Sequence, residues 1–185
     1  DGKFLATGSA DKGIRIWEVA TAKLLRTFQG HTEEVSCLAF SDDGKTLASG
    51  SRDQNIRLWD LEPTDIHRSF DEHTGYVWSA VYSPDGKLFA SAGADRSIRI
   101  WDATTNKVLH TMPGHQGAVT SLAFTPDSKT LVSGGGDKLI KVWDAVTGKF
   151  VRDLTGHESA VMAVAISKDK QVLSGAADKQ ARLWD

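Results

Sequence analysis

A tryptophan closes the same short phrase five times along this chain, at Ile14-Arg15-Ile16-Trp17, Ile56-Arg57-Leu58-Trp59, Ile98-Arg99-Ile100-Trp101, Ile140-Lys141-Val142-Trp143 and Ala181-Arg182-Leu183-Trp184. The tryptophans lie 42, 42, 42 and 41 residues apart, and an acid follows each one: Glu18, Asp60, Asp102, Asp144 and Asp185. A period of this length makes each repeat a small supersecondary unit that buries its apolar face only by stacking on its neighbours. A residue type that returns at the same offset in every repeat therefore belongs to the scaffold. One that occurs in a single repeat is where individual function is to be sought.

Residues 72–113 show the unit. Val77–Tyr82 reads as a strand, rich in β-branched and aromatic side chains. Ser83-Pro84-Asp85-Gly86-Lys87 is a turn, because proline holds φ at about −65° and glycine reaches positive φ. A second strand is expected over Leu88–Ala92, a tight turn at Asp95-Arg96-Ser97, a third strand over Ile98–Asp102 and a fourth over Val108–Met112. The pattern fits 30–71 and 114–155 in full, while 1–29 and 156–185 carry three strands of it each. Short loops between such strands make an antiparallel meander, and no stretch has helical periodicity. The expected class is all-β, a β-propeller of four-stranded antiparallel blades packed around an axis, with three complete blades and two partial ones.

Composition narrows the function. The chain has 185 residues and a net charge of −2, which argues against nucleic-acid binding driven by a basic face. No apolar run approaches the roughly 18 residues of a membrane span. The one cysteine, Cys37, cannot form an intramolecular disulfide or a cysteine metal cluster, and a reducing cytoplasm fits it. Asp and Gly in the turns do not form the Asp-x-Asp-x-Asp-Gly loop of a calcium site, so no metal or cofactor is expected.

Gly30-His31, Gly114-His115 and Gly156-His157, each followed by a unit ending in Trp-Asp, resemble the WD-repeat β-propeller family over the whole chain. The resemblance implies one partial domain, 1–185, made of units 1–29, 30–71, 72–113, 114–155 and 156–185. In that family each blade runs from its innermost strand outward. The first unit would then lack its innermost strand and the last its outermost, leaving 18 strands. A ring of seven blades has about 28. The balance of about ten is expected upstream, with the chain read as a fragment and Asp185 at the natural end of the domain.

Each unit also carries the parts of a hydrolase triad beside its tryptophan: His31/Ser49/Asp53/Trp59, His73/Ser91/Asp95/Trp101, His115/Ser133/Asp137/Trp143 and His157/Ser174/Asp178/Trp184, with Thr7, Asp11 and Trp17 in the first unit. An enzyme needs one such set in one cleft, beside an oxyanion site. Four equivalent sets argue for scaffold. The resemblance implies a structural hydrogen-bond relay from indole N–H through serine and imidazole to carboxylate. Arg15, Arg57, Arg99, Lys141 and Arg182 recur too, and are expected between blades or over the indoles. His67 and His110 are expected as ordinary surface residues, and the fifth unit, shorter by one residue at Ser167–Gln171, as the least regular blade.

The resemblance further implies partner binding on the face of the histidine loops and tight turns. Three and five residues after each histidine that face carries Glu34/Ser36, Tyr76/Trp78, Ala118/Thr120 and Ala160/Met162. Only the third unit places large aromatics there, and Trp78 is the one tryptophan off the repeat. Aromatic and arginine side chains dominate interface hot spots. Tyr76 and Trp78, with Glu33, Glu34, Ser36 and Arg52 beside them, are the expected contact patch; the alternative is that Trp78 only fills the central channel. The expected function is a non-catalytic scaffold binding a protein or peptide, without nucleic acid, membrane or small-molecule substrate. A second reading is a regulatory or sensor propeller attached to a catalytic domain outside this chain.

Overall fold

Eighteen strands and no helix make up the described part of the molecule. The computed structural model describes residues 2–61 and 67–185, with the side chain of His67 outside the described part. Strands β1 (Phe4–Gly8), β2 (Ile14–Glu18) and β3 (Lys23–Phe28) form the first sheet. The second holds β4 (Val35–Phe40), β5 (Thr46–Ser51), β6 (Ile56–Asp60) and β7 (His67–Phe70). β8 (Val77–Tyr82), β9 (Leu88–Gly93), β10 (Ser97–Asp102) and β11 (Val108–Pro113) make the third. The fourth is β12 (Val119–Phe124), β13 (Thr130–Gly135), β14 (Ile140–Asp144) and β15 (Phe150–Leu154). β16 (Val161–Ile166), β17 (Val172–Ala176) and β18 (Ala181–Trp184) complete the fifth. Each sheet is an antiparallel meander in chain order, the blade of a propeller. None of its elements is a helix long and apolar enough to cross a membrane.

The cores lie between the sheets, as the repeat period requires. Ile14, Ile16 and Phe28 of the first blade pack with Val35, Leu47 and Trp59 of the second. Ala48, Ile56 and Leu58 of the second blade meet Val77, Phe89 and Trp101 of the third, and the later pairs of blades repeat the arrangement. Each tryptophan pairs across its sheet with a large apolar residue of the second strand, such as Trp101 with Phe89. Those two rings stack at 5.3 Å with planes 3° apart. Close approach needs small residues. A Cβ at Gly50 would stand 2.5 Å from Val77 Cγ1, and one at Gly134 would stand 2.6 Å from Val161 Cγ1, both in the following blade.

Since every blade is covered by the next, the two outer faces show what a missing neighbour does. Leu173 and Leu183 are 50% and 62% exposed, whereas Ala48 and Leu58 at the same offsets are 1% and 6% exposed. Leu5 is 54% exposed, against 0% for its counterpart Leu47.

The shortened turn of the fifth blade is a local change only. Ser167 N donates to Gln171 O at 2.9 Å, where Ser41 N reaches one residue further, to Thr46 O, at 2.8 Å. Lys170 occupies the left-handed position (φ 66°) that Gly44 fills with φ 67°. The register of β16 on β17 matches that of β4 on β5, including the irregularity near the start. The expected tighter turn is there, and the departure of the fifth blade is confined to it, because the deletion lies at the end of the blade away from the relay.

Candidate functional site

Each of the four later blades joins its histidine loop to its tight turn through four side chains. The indole N–H donates to serine Oγ at 2.8 Å for Trp59–Ser49, 2.9 Å for Trp101–Ser91, 2.9 Å for Trp143–Ser133 and 2.8 Å for Trp184–Ser174. The same oxygens lie 2.7 to 2.8 Å from Nε2 of His31, His73, His115 and His157. The other ring nitrogens lie 2.7 to 2.9 Å from carboxylate oxygens of Asp53, Asp95, Asp137 and Asp178. An indole can only donate, so the network that satisfies every group has serine O–H donating to Nε2 and Nδ1–H donating to aspartate. The aspartates also accept backbone N–H groups from the histidine loops, at Thr32, Thr74, Gln116 and Glu158. In the first blade Trp17 Nε1 donates to Thr7 Oγ1 at 2.9 Å, and Asp11 pairs with Arg15 at 2.6 Å.

Order and direction are those of a serine-hydrolase triad, but access is not. The four serines are 0–1% exposed, and an indole already occupies the oxygen that would have to attack. Burial works to raise the carboxyl of Asp53, yet the N–H groups of Thr32 and Asn55 and the His31 ring hold it below the usual carboxylate range. Burial pushes His115 below its ordinary value against the pull of Asp137.

Of the two expected placements for the recurring bases, beside the indoles fits Arg57 and Arg182, which crowd Gly30 and Gly156 together with Trp59 and Trp184, while Arg99 and Lys141 pair with acids of their own blades. Arg99 lies 3.0 Å from Asp95, and Arg182 donates to Gln180 at 2.8 Å. Lys141 reaches Asp153 at 2.7 Å and stands 4.9 Å above the Phe150 ring. Register explains the pairs: Arg15 and Arg99 lie four residues after their turn acids Asp11 and Asp95, and Lys141 lies directly across from Asp153 on the neighbouring strand. His110 links two blades through Nε2 and Val146 O at 2.9 Å, while the His67 side chain lies outside the described residues.

The aromatic patch is brought together by a backbone irregularity. The pairing of β8 with β9 shifts register between Val77 and Ser79, so Trp78 is the extra residue of a β-bulge. Such a bulge re-aims its side chain. Tyr76, 45% exposed, packs edge-on to Trp78 with ring centres 5.9 Å apart. The Arg52 guanidinium of the preceding blade lies 5.5 Å from the Trp78 ring centre and 5.9 Å from that of Tyr76. Glu34 holds it at 3.1 Å, and Glu33 stands 4.0 Å from Lys12.

Ser36 departs from its expected place in that patch. It is the bulge residue of β4, and its hydroxyl donates to Gly50 O at 3.0 Å and to Val77 O of the next blade. Thr120 does the same in β12, reaching Gly134 O at 3.0 Å and Val161 O at 2.5 Å. The bulge hydroxyl is thus a stitch between blades, and Trp78 stands where a stitch belongs. The recurrence of Ser36 and Thr120 at one offset was the available signal.

Repeated antiparallel blades of three or four strands, four of the five closed by a Trp–Ser–His–Asp relay, define a WD-type propeller. The family model described as WD domain, G-beta repeat, matches residues 1–18, 22–60, 65–102, 106–144 and 148–185, and the chain belongs to that family. The four later matched segments are offset from the sheets by one strand: 22–60 takes β3 of one blade and β4 to β6 of the next. Each of these four repeats therefore ties two blades together covalently. The chain is 48% identical over 40 residues to the U3 snoRNP-associated protein-like YAO of Arabidopsis thaliana. It is 45% identical over 40 residues to the general transcriptional corepressor TUP1 of Saccharomyces cerevisiae, and 52% identical over 40 to the nuclear distribution protein PAC1 of Mycosarcoma maydis. Each alignment covers 22% of this chain and 6–9% of the relative, about one repeat. The likeness supports a protein-interaction scaffold in general terms.

Proposed function

We propose that this chain is a non-catalytic interaction platform that holds a protein or peptide partner on its relay face, at the sector of Tyr76, Trp78, Arg52, Glu34 and Glu33, in the cytoplasm. One observation carries the reading. At the bulge where Ser36 and Thr120 stitch adjacent blades, Trp78 gives up the stitch and sets an indole beside an exposed tyrosine and an arginine. A residue needed only to hold the blades together would be a hydroxyl. Tyrosine, tryptophan and arginine are the side chains most enriched at binding hot spots. The relays keep the backbone under this sector rigid, so little ordering cost is added on association.

The test is affinity capture with wild type and with the Tyr76→Ala/Trp78→Ala double mutant, once both melt at the same temperature. Loss of a captured partner in the double mutant is the expected result. An unchanged set of partners, with the fold intact, would show that the aromatic pair only packs.

A further inference from the structure

Beside the aromatic sector stand cations that the scaffold does not use. In every blade the residue after the turn aspartate has a left-handed backbone: Lys12 (φ 71°), Gln54 (φ 71°), Arg96 (φ 65°), Lys138 (φ 72°) and Lys179 (φ 67°). Glycine takes this conformation at least cost, and a side chain with a Cβ takes it under strain. Four of the five are nevertheless lysine or arginine, and all five are exposed. Because the turns are equivalent, these side chains stand on the face that carries the histidine loops. Lys12 has Glu33 at 4.0 Å, and Arg52 has Glu34 at 3.1 Å. Arg96, in the blade of Tyr76 and Trp78, and Lys138, in the blade after it, make no ion pair among the described residues. Acids do remain on this face. Asp71 and Glu72 are exposed on the loop ahead of β8, and Glu158 on the loop ahead of β16. The relay aspartates do not offset the turn cations toward a ligand, since their side chains are only 2–7% exposed and each is committed to its histidine.

Resting on the reading of Tyr76 and Trp78 as the contact sector, we propose that the partner is an acidic peptide segment, with an apolar or aromatic side chain packed on the two rings and neighbouring carboxylates on Arg96 and Lys138. Charge complementarity selects this occupant. A basic segment would meet Arg96 and Lys138, which no acid pairs among the described residues, and like charges brought together at an interface oppose binding. Carboxylates pair with guanidinium and ammonium groups through charge-assisted hydrogen bonds, while the rings supply the apolar contact area.

The test uses fluorescence anisotropy with the full 185-residue chain and three sets of short labelled peptides. Each peptide carries one Phe, Trp or Leu anchor flanked by glutamates, by glutamines or by lysines. The glutamate set is expected to bind best and to weaken at least tenfold as ionic strength rises well past about 0.1 M. The variant Arg96→Gly/Lys138→Gly should weaken that set by a similar factor. Glycine suits positive φ, so these substitutions remove charge without breaking the turns, and a melting curve checks this. No binding by the glutamate set, equal binding by the other sets, or an unchanged Kd in the glycine variant overturns the proposal. Should Tyr76→Ala/Trp78→Ala abolish binding while the glycine variant changes nothing, the aromatic sector stands and the acidic preference falls. Binding that responds to the glycine variant but ignores the aromatic pair overturns the sector itself.

Discussion

Four buried serine hydroxyls each satisfy an indole and an imidazole at once, so one oxygen atom per complete relay decides whether two large buried groups are paired. In Ser133→Ala the N–H of Trp143 and Nε2 of His115 both lose their partner. The expected cost is about 1–3 kcal/mol, the penalty for leaving buried polar groups unpaired. Urea unfolding should register it as a shift in midpoint at constant slope, with partner capture unchanged. The relay also sets the response to acid. His115 is held below the ordinary histidine value of 6.5, so the unfolded chain takes up that proton first, and stability declines as pH falls below 6.5. Asp53, Asp95, Asp137 and Asp178 are held below the ordinary carboxyl value of 3.8. Their contribution is complete above 3.8 and is lost as pH falls through their lower folded values. Melting temperature should therefore fall in two stages on acidification and stay level from neutrality to mildly alkaline pH. A melting temperature that rose between pH 6.5 and 3.8 would contradict this assignment.

At the level of elements, the innermost strands β4 and β12 join to the next blade by a bulge hydroxyl as well as by apolar packing. Thr120→Val keeps the shape and removes the donor to Gly134 O and Val161 O. A loss of about 1 kcal/mol is expected, the net worth of an ordinary hydrogen bond, measurable by chemical denaturation. Strand positions are legible in the amino-acid pattern to within a residue: Val77–Tyr82 and Val108–Met112 against observed Val77–Tyr82 and Val108–Pro113. The bulges are not. Ser36, Trp78, Thr120 and Met162 read simply as strand residues, because a register slip depends on how two strands pair and leaves no composition of its own. The seam at Ser36 leaves only one trace, the hydroxyl that returns at the same offset in Thr120.

Across the whole molecule, stability comes from successive blades, and each outer face lacks the neighbour that covers its counterparts. Leu5 at one end and Leu173 with Leu183 at the other lie at offsets that are buried elsewhere. A polypeptide of these 185 residues on its own is expected to associate through those faces. Light scattering after size exclusion should show species heavier than 20.0 kDa, and Leu173→Lys/Leu183→Lys should shift the population toward monomer. A wild-type chain that stays monomeric at high concentration counts against this.

Periodicity marked the class of fold and the recurring Trp, Ser, His and Asp, since a repeated offset marks residues bound by the same local geometry in every blade; the resemblance to the WD-repeat family was what read those residues as a relay. The fold alone decided which recurring polar groups stitch blades and which serve their own turn. It also decided that a bulge turns Trp78 toward Tyr76 and Arg52, a contact between residues of different repeats. Such contacts depend on how two blades meet in space. Sequence offsets record what each unit shares with the others, and only the packing of one unit on the next brings together what they do not share.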